Sequence, residues 1–510
     1  MDKQFASAQW RKYIPIPVCE DHEEFGELYN KAWELAFLHI KYIPGMPQNP
    51  YMDEAFCDTQ LWIWDTCFMA LFCKYAQGAF PGVESLKNFY DVLYSGKKLP
   101  TVIPSEREPE WTGSVAGEPF EMQVHIADNP PLFAWAEYEN ALMSGDKAHI
   151  KELLYDRRVL QKHYEWLENL HEPVQLRGVY AQTCLIAEKY GYKWEGGRSG
   201  MDNTPRGRTG PHAEKQRPNN PDMLWVDAIC QQALSAKMIA NLFALVNDGE
   251  NEAFWNDRFI EKKNIINECY WDEEDSFYYD IDCNTHDFYK VMTIASYWAL
   301  TAGVASDKQA SALLRQVENP QTLGGDVPLV SLSRSDGDFR QNGEYWRGSL
   351  WLPTAYAALA GLRNYGFFKE AHTASCKVLK HMYKTYKEHV PHTIWECYAP
   401  EDAKPASNEH GSGKYVRQDF CGWSALGPIS IYIEFVLGFH KVDAFNRVVE
   451  WAKPDTVEGK IGIRNLRFGE IITDIEAFQG KCRVTANEGY TLKINGNSYE
   501  ILGGENAFDL

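Results

Sequence analysis

No stretch of this sequence approaches the roughly 18 uninterrupted apolar residues of a membrane helix, so no membrane partner is expected. The 12 cysteines contain no C-x-x-C pair and no zinc spacing, which argues against a metal site. Most sit in apolar surroundings, as Cys67 and Cys73 do in DTCFMALFC, and read as small buried hydrophobes. Met1–Tyr13 is polar and mixed, with no charged start leading into an apolar run. A cytoplasmic protein is expected, or a periplasmic one if an export signal has been trimmed. Positive charge is scarce: 51 Lys and Arg stand against 71 Asp and Glu, a formal net charge of −20. Such a field repels nucleic acid and polyphosphate, and suits a neutral substrate. No cofactor is expected, and the oligomeric state is not legible.

Aromatic residues, in contrast, are abundant at 14%, including 17 Trp, 28 Tyr and 25 Phe. A large aromatic core explains this as well as a sugar site, where pyranose C–H faces stack on rings. From about Asp21 to about His440 apolar residues recur at helical spacing, as in Phe25, Leu28, Ala32, Leu35 and Leu38. About a dozen helices follow, among them Gln60–Gln77, Lys147–Leu170, Met223–Val246, His286–Thr301, Leu350–Tyr365 and Gly422–Leu437. They suggest a mainly α fold of six helical hairpins closed into an (α/α)6 toroid over residues 1–440. Two connections, Ser95–Asn129 and Glu172–Asp222, are long enough to be functional or disordered, and their Trp and Arg content favours function. After about Lys441 the period becomes alternating, and YTLKI, Asn495-Gly496 and SYEIL spell a β-hairpin. Residues 441–510 are therefore read as a small C-terminal β-sheet domain.

Four stretches set acids among tryptophans, glycines and prolines, where a carboxylate is costly unless hydrogen bonds or a ligand satisfy it. The first, QLWIWDTCF, holds Trp62, Trp64 and Asp65; Asp65 in a first helical turn is equally a capping carboxylate. In the second, GMDNTPRG, Asp202 and Arg206 read as turn residues or as site residues. The third leads through Tyr345, Trp346 and Arg347 into a helix; Arg347 is a stacked structural cation or a donor to a hydroxylated ligand. In the fourth, TIWECYAP, Glu396 sits between Trp395 and Tyr398, and QDFCGWSAL follows at Gln418–Leu426. An isolated Glu there is a salt-bridge residue as readily as a base.

As a set, these stretches resemble glycoside hydrolase family 63 and the trehalases, nearest to the bacterial mannosylglycerate- and glucosylglycerate-hydrolase-like members. The W-x-W-D-S element is matched by Trp62–Thr66, G-x-D-N-S-P-R by Gly200–Arg206, and Y-W-R-G-P-x-W by Tyr345–Trp351. W-E-x-Y-x-P is matched by Trp395–Pro400, and F-x-x-W-[ST] by Phe420–Ser424. Thr replaces Ser twice, Ser349 replaces Pro, and Asn129-Pro-Pro stands where members often carry Gln-Pro-Pro.

The resemblance implies an inverting glycosidase cleaving an α-glucoside or α-mannoside, of oligosaccharide or glycosylglycerate type, without metal. It makes Asp202 the general acid and Glu396 the general base, the carboxyls standing about 6.5–9.5 Å apart with water between. Asp65 would grip sugar hydroxyls, with Trp62, Trp64, Asn129, Tyr345, Trp346, Arg347 and Trp395 lining the site. Arg206 and Arg208 would meet an anionic aglycone, or be a solvated loop. Competing readings are a sugar epimerase or phosphorylase on the same toroid, and a non-catalytic carbohydrate-binding protein. An epimerase needs a His pair, yet none of the 14 His falls in the four stretches; a binder needs neither Asp202 nor Glu396.

Overall fold

A computed structural model describes residues 9–42, 48–52, 60–94, 102–104, 130–172, 185–194, 196, 199–207, 220–408 and 413–510. The helices in chain order begin with α1 (Phe25–Leu38), α2 (Ile63–Cys73), α3 (Gly82–Tyr94) and α4 (Phe133–Ser144). Next come α5 (Lys147–Lys151), α6 (Val159–Glu168), α7 (Val226–Leu245), α8 (Gly249–Cys269) and α9 (Trp298–Ala302). Last are α10 (Asp307–Glu318), α11 (Leu352–Asn364), α12 (Phe368–Glu388) and α13 (Gly427–Val436), the last wound as a π-helix.

Every residue of α2 and of α13 is buried, and only the last two residues of α11 escape, which marks helices covered on all sides. In contrast α10 and α12 are amphipathic, with one polar face, and α10 starts on a Ser306–Gln309 capping box. Packing follows from this division. Helix α2 packs on α4, α4 on α7, α7 on α9, and α9 on α11. Helix α11 in turn meets α13 and the turn Ser424–Leu426, and both touch α2, so the inner contacts run in a cycle. Helices α3, α8 and α12 lie against α2, α7 and α11 respectively, and α1 lies against α13.

Two expected helices differ. Lys147–Leu170 breaks because Arg158 adopts a left-handed φ of 55°, separating α5 and its π-wound extension from α6. In His286–Thr301 only the last residues are helical, because Phe288 and Tyr289 pair with Ile281 and Asp280 as strand.

Past α13 the chain is β-rich, as its alternating pattern predicts. Ile461–Phe468, Ile471–Phe478, Lys481–Ala486 and Gly504–Asp509 form an antiparallel sheet, which Ile16–Cys19 from the start of the chain completes. Tyr490–Ile494 and Asn497–Ile501 pair across Asn495 and Gly496, both at positive φ, the geometry of a tight hairpin turn. Strand Phe439–Asp443 follows α13 and joins the helices to this region.

Candidate active site

The four acid-bearing stretches converge at one end of the helical cycle, because each leads into the N-terminus of an inner helix. Trp62 precedes α2, the Asp202 turn lies ahead of α7, Tyr345–Trp351 runs into α11, and Trp395–Trp423 precedes α13. Helix N-termini carry partial positive charge, so this is the favourable end for carboxylates.

Glu396 is only 1% exposed, yet its carboxylate is well supplied with donors. The Tyr345 hydroxyl donates to Oε1 over 2.8 Å, Arg417 Nη1 donates to the same oxygen over 2.7 Å, and the Arg417 backbone N–H donates to Oε2 over 3.2 Å. Trp423 Nε1 and Ser424 Oγ donate to the Glu396 carbonyl, fixing the backbone from behind. Burial, then the charges of Glu396 and Asp202, hold the Tyr345 phenol well above its ordinary range, so it keeps its proton and donates. Both Glu344 and Tyr345 have left-handed φ, 36° and 68°, conformations that cost a non-glycine residue about 1–3 kcal/mol each. Bonds from their backbone N–H groups to Ser407 hold them there and aim the phenol at Glu396.

Asp65 is the third residue of α2, 5% exposed, and its carboxylate interacts with its own backbone N–H. Burial raises its carboxyl well above the usual range, and the charges on Glu396 and Asp202 add to the rise. Asp65 therefore stands within electrostatic reach of both other acids. The Thr66 hydroxyl donates to the Trp62 carbonyl over 2.6 Å, a bond that the serine of the family pattern supplies equally.

Asp202 is half-buried in a turn held from two sides. Gly200, at φ 82°, lies flat on the Trp64 indole, where an added Cβ would come within 2.5 Å of the ring. Asn203 Nδ2 donates to the Glu344 carbonyl and its Oδ1 accepts from the Trp346 N–H, both over 2.8 Å. The Asp202 turn is thereby tied to the segment that carries Tyr345.

The tryptophans are placed together but deeper than a stacking platform requires. Trp346 stacks on Trp351 with centroids 4.1 Å apart and planes 1° apart, and Trp64 packs edge-on against Trp423. Trp64, Trp346 and Trp395 are buried, while Trp62 is half-buried. One face of Trp346 is thus occupied by protein; Trp64, Trp346, Trp351 and Trp423 form one packed cluster, while Trp395 packs against His389 and Tyr415. Arg347 is half-buried, with its Nε lacking a hydrogen-bond partner among the described residues.

Arg206 corrects an expectation. It is fully buried, not at a ligand's anionic end: Nε and Nη2 bond Asp280, Nη1 and Nη2 bond Asp227, and the guanidinium lies 4.4 Å over Trp225. Its two carboxylate partners and the ring leave no donor for a substrate, so it fastens the loop to the start of α7. Asn129 and Arg208 fall outside the described residues. Arg417, Asn203 and Trp423, in turn, were not singled out from sequence. Asn203 adjoins Asp202, and Arg417 immediately precedes the Gln418 stretch, so only their side-chain direction was hidden. Among the described residues no helix is long and apolar enough to cross a membrane.

Comparison with known proteins assigns the class. A family model, the mannosylglycerate hydrolase MGH1-like glycoside hydrolase domain, matches residues 58–416, a span that holds all four of the acids' segments up to the residue before Arg417. The protein is a glycosidase. A relative from Borreliella burgdorferi, described only as uncharacterized, is 25% identical over 472 residues, covering 90% of this chain and 89% of its own. The mannosyl-oligosaccharide glucosidase of Saccharomyces cerevisiae is 26% identical over 301 residues, 52% of this chain but 33% of that protein. The glucose complex of the GH63 mannosylglycerate hydrolase from Thermus thermophilus shares the fold, with a TM-score of 0.56 at 18% identity, covering 79% of this chain and 99% of that one. The chain belongs to the MGH1-like glycoside hydrolase family, within glycoside hydrolase family 63.

Proposed function

We propose that this glycosidase inverts the anomeric centre of an α-glucoside or α-mannoside, with Asp202 as general acid and Glu396 as general base on an (α/α)6 toroid. The observation that carries the reading is the environment of Glu396: a buried carboxylate held by a phenol, a guanidinium and a backbone N–H, in reach of two further acids. A base must be held in position to take a proton from water, and these donors hold both carboxylate oxygens. Asp202, half-buried on a turn at the same end, is suited to deliver a proton to the departing oxygen. Asp65, whose carboxyl burial keeps protonated to higher pH, is suited to hydrogen-bond sugar hydroxyls. Among the described residues, the groups that bond the Glu396 carboxylate include no histidine, which speaks for hydrolysis over epimerisation. The cyclic inner contacts of α2, α4, α7, α9, α11 and α13 support closure of six hairpins. The relatives' names point to mannosylglycerate and to glucosylated oligosaccharides as first substrates to offer.

The test is kinetic and stereochemical. Asp202→Asn should slow hydrolysis of a substrate with a poor leaving group by about 10²–10⁴-fold, and that of an α-glycosyl fluoride much less. NMR should find the first-released sugar as the opposite anomer. A retained anomer, or equal losses on both substrates, would replace this scheme with a nucleophilic carboxylate or a mere clamp at Asp202.

A further inference from the structure

The acidic end of the cycle presents three carboxylates that feel one another, Asp65, Asp202 and Glu396, together with the phenol of Tyr345 and the thiol of Cys397 beside Glu396. The cation that bonds Glu396 is Arg417. Its attachment is double. The side chain reaches Oε1 over 2.7 Å, the backbone N–H reaches Oε2 over 3.2 Å, and the Arg417 carbonyl accepts from the Glu396 N–H over 2.9 Å. The neighbouring Trp395 and Gln418 are bridged as antiparallel strand partners, so the two backbones are locked in register. The Arg417 side chain is nevertheless 41% exposed against 1% for Glu396, which puts it between the buried carboxylate and solvent.

We propose that Arg417 is a positioning residue for the reaction: it fixes the Glu396 carboxylate in place and sets a positive charge against it. This rests on the assignment of Glu396 as base. A guanidinium at hydrogen-bond distance favours the ionised form of a carboxylate, by about 1–3 pKa units. A protonated Glu396 cannot accept a proton from water. Arg417 thereby lets the site carry one acid that must hold a proton and one that must lack it. A guanidinium suits this better than an ammonium, because its planar fork holds direction as well as charge.

The experiment compares Arg417→Gln and Arg417→Lys in the full chain, recording kcat/KM against pH on the substrate that the wild type hydrolyses best. The base must be ionised, so activity falls on the acid side as Glu396 takes up a proton. Arg417→Gln should move that acid limb up by about 1–3 pH units. It should lower kcat more than it raises KM, while activity at high pH partly recovers. Arg417→Lys should place the limb between the two. If Arg417→Gln does not fold, the Lys variant still decides: its limb must move upward, by less than the Gln range. An unmoved limb in a folded variant, or a loss in kcat/KM uniform across pH, overturns the proposal. Glu396→Gln separates this failure from that of the function itself. If Glu396→Gln is inactive while the Arg417→Gln limb stays put, only the role of Arg417 falls. If Glu396→Gln retains turnover, the base assignment falls, and Arg417's role with it.

Discussion

The two ends of helix α2 handle charge in opposite ways. At its N-terminal end Asp65 faces Glu396 and Asp202, and Arg417 is the cation bonded to the group. About 14 Å away by the rise of nine helical residues, Lys74 follows the last turn. There Lys74 and Arg363 meet Glu139 and Glu434, two cations for two anions, and the hydroxyls of Tyr75 and Tyr356 also donate to Glu434. Arg363 further donates to the His440 carbonyl, stitching the helices to the strand Phe439–Asp443. The second group pairs buried charges of both signs one for one, whereas the first sets a buried Asp65 and Glu396 beside a half-buried Asp202. A buried charge without full compensation is costly, and a protein keeps it where chemistry needs it.

The widest separation between the ends should appear in paired substitutions. Glu396→Gln should cut turnover by about 10²–10⁴-fold, seen in steady-state kinetics on any α-glycoside the enzyme accepts. Glu434→Gln should instead cost about 3–5 kcal/mol in denaturant unfolding, because it leaves Lys74 and Arg363 buried with less counter-charge. Turnover per folded molecule should survive that change. Were Glu434→Gln to abolish catalysis in folded protein, the division between the ends would not hold.

A smaller effect separates them by pH. The Asp65 carboxyl is raised in the folded protein, by burial first and then by Glu396 and Asp202, so the folded state binds its proton more tightly than the unfolded chain. Its stabilising contribution is complete below the ordinary value of 3.8 and is lost as pH rises through the raised one. Asp65→Asn should therefore raise Tm relative to wild type at neutral pH. The gain should shrink toward pH 3.8 in thermal scans, while sugar binding weakens. A gain independent of pH would exclude an ionisation as its cause.

The smallest effect concerns the tie between the Asp202 turn and Tyr345. Asn203→Ala removes two bonds and leaves the Glu344 carbonyl and Trp346 N–H without that partner. A loss of about 1–3 kcal/mol is expected, accompanied by a fall in kcat as the turn loosens. Stability loss with unaltered kcat would make the tie purely structural.

Much of this arrangement is legible in the chain before folding. Helical periodicity locates the inner helices, since α2, α11 and α13 are apolar over whole turns. Alternation marks the C-terminal strands, and Asn495-Gly496 marks their hairpin, because only such pairs take positive φ cheaply. The pairing of acids with tryptophans in four segments is likewise written in the order of residues. What the sequence leaves open is direction. Arg206 lies four residues from Asp202 yet turns away into Asp227 and Asp280, whereas Arg417, 21 residues from Glu396, reaches its carboxylate. Ile16–Cys19 joins strands more than 440 residues later for the same reason. Local pattern determines which elements form and which residues they carry. Which cation faces which carboxylate is decided only when the inner helices pack, because burial makes each charge seek whatever partner the fold brings within about 3 Å.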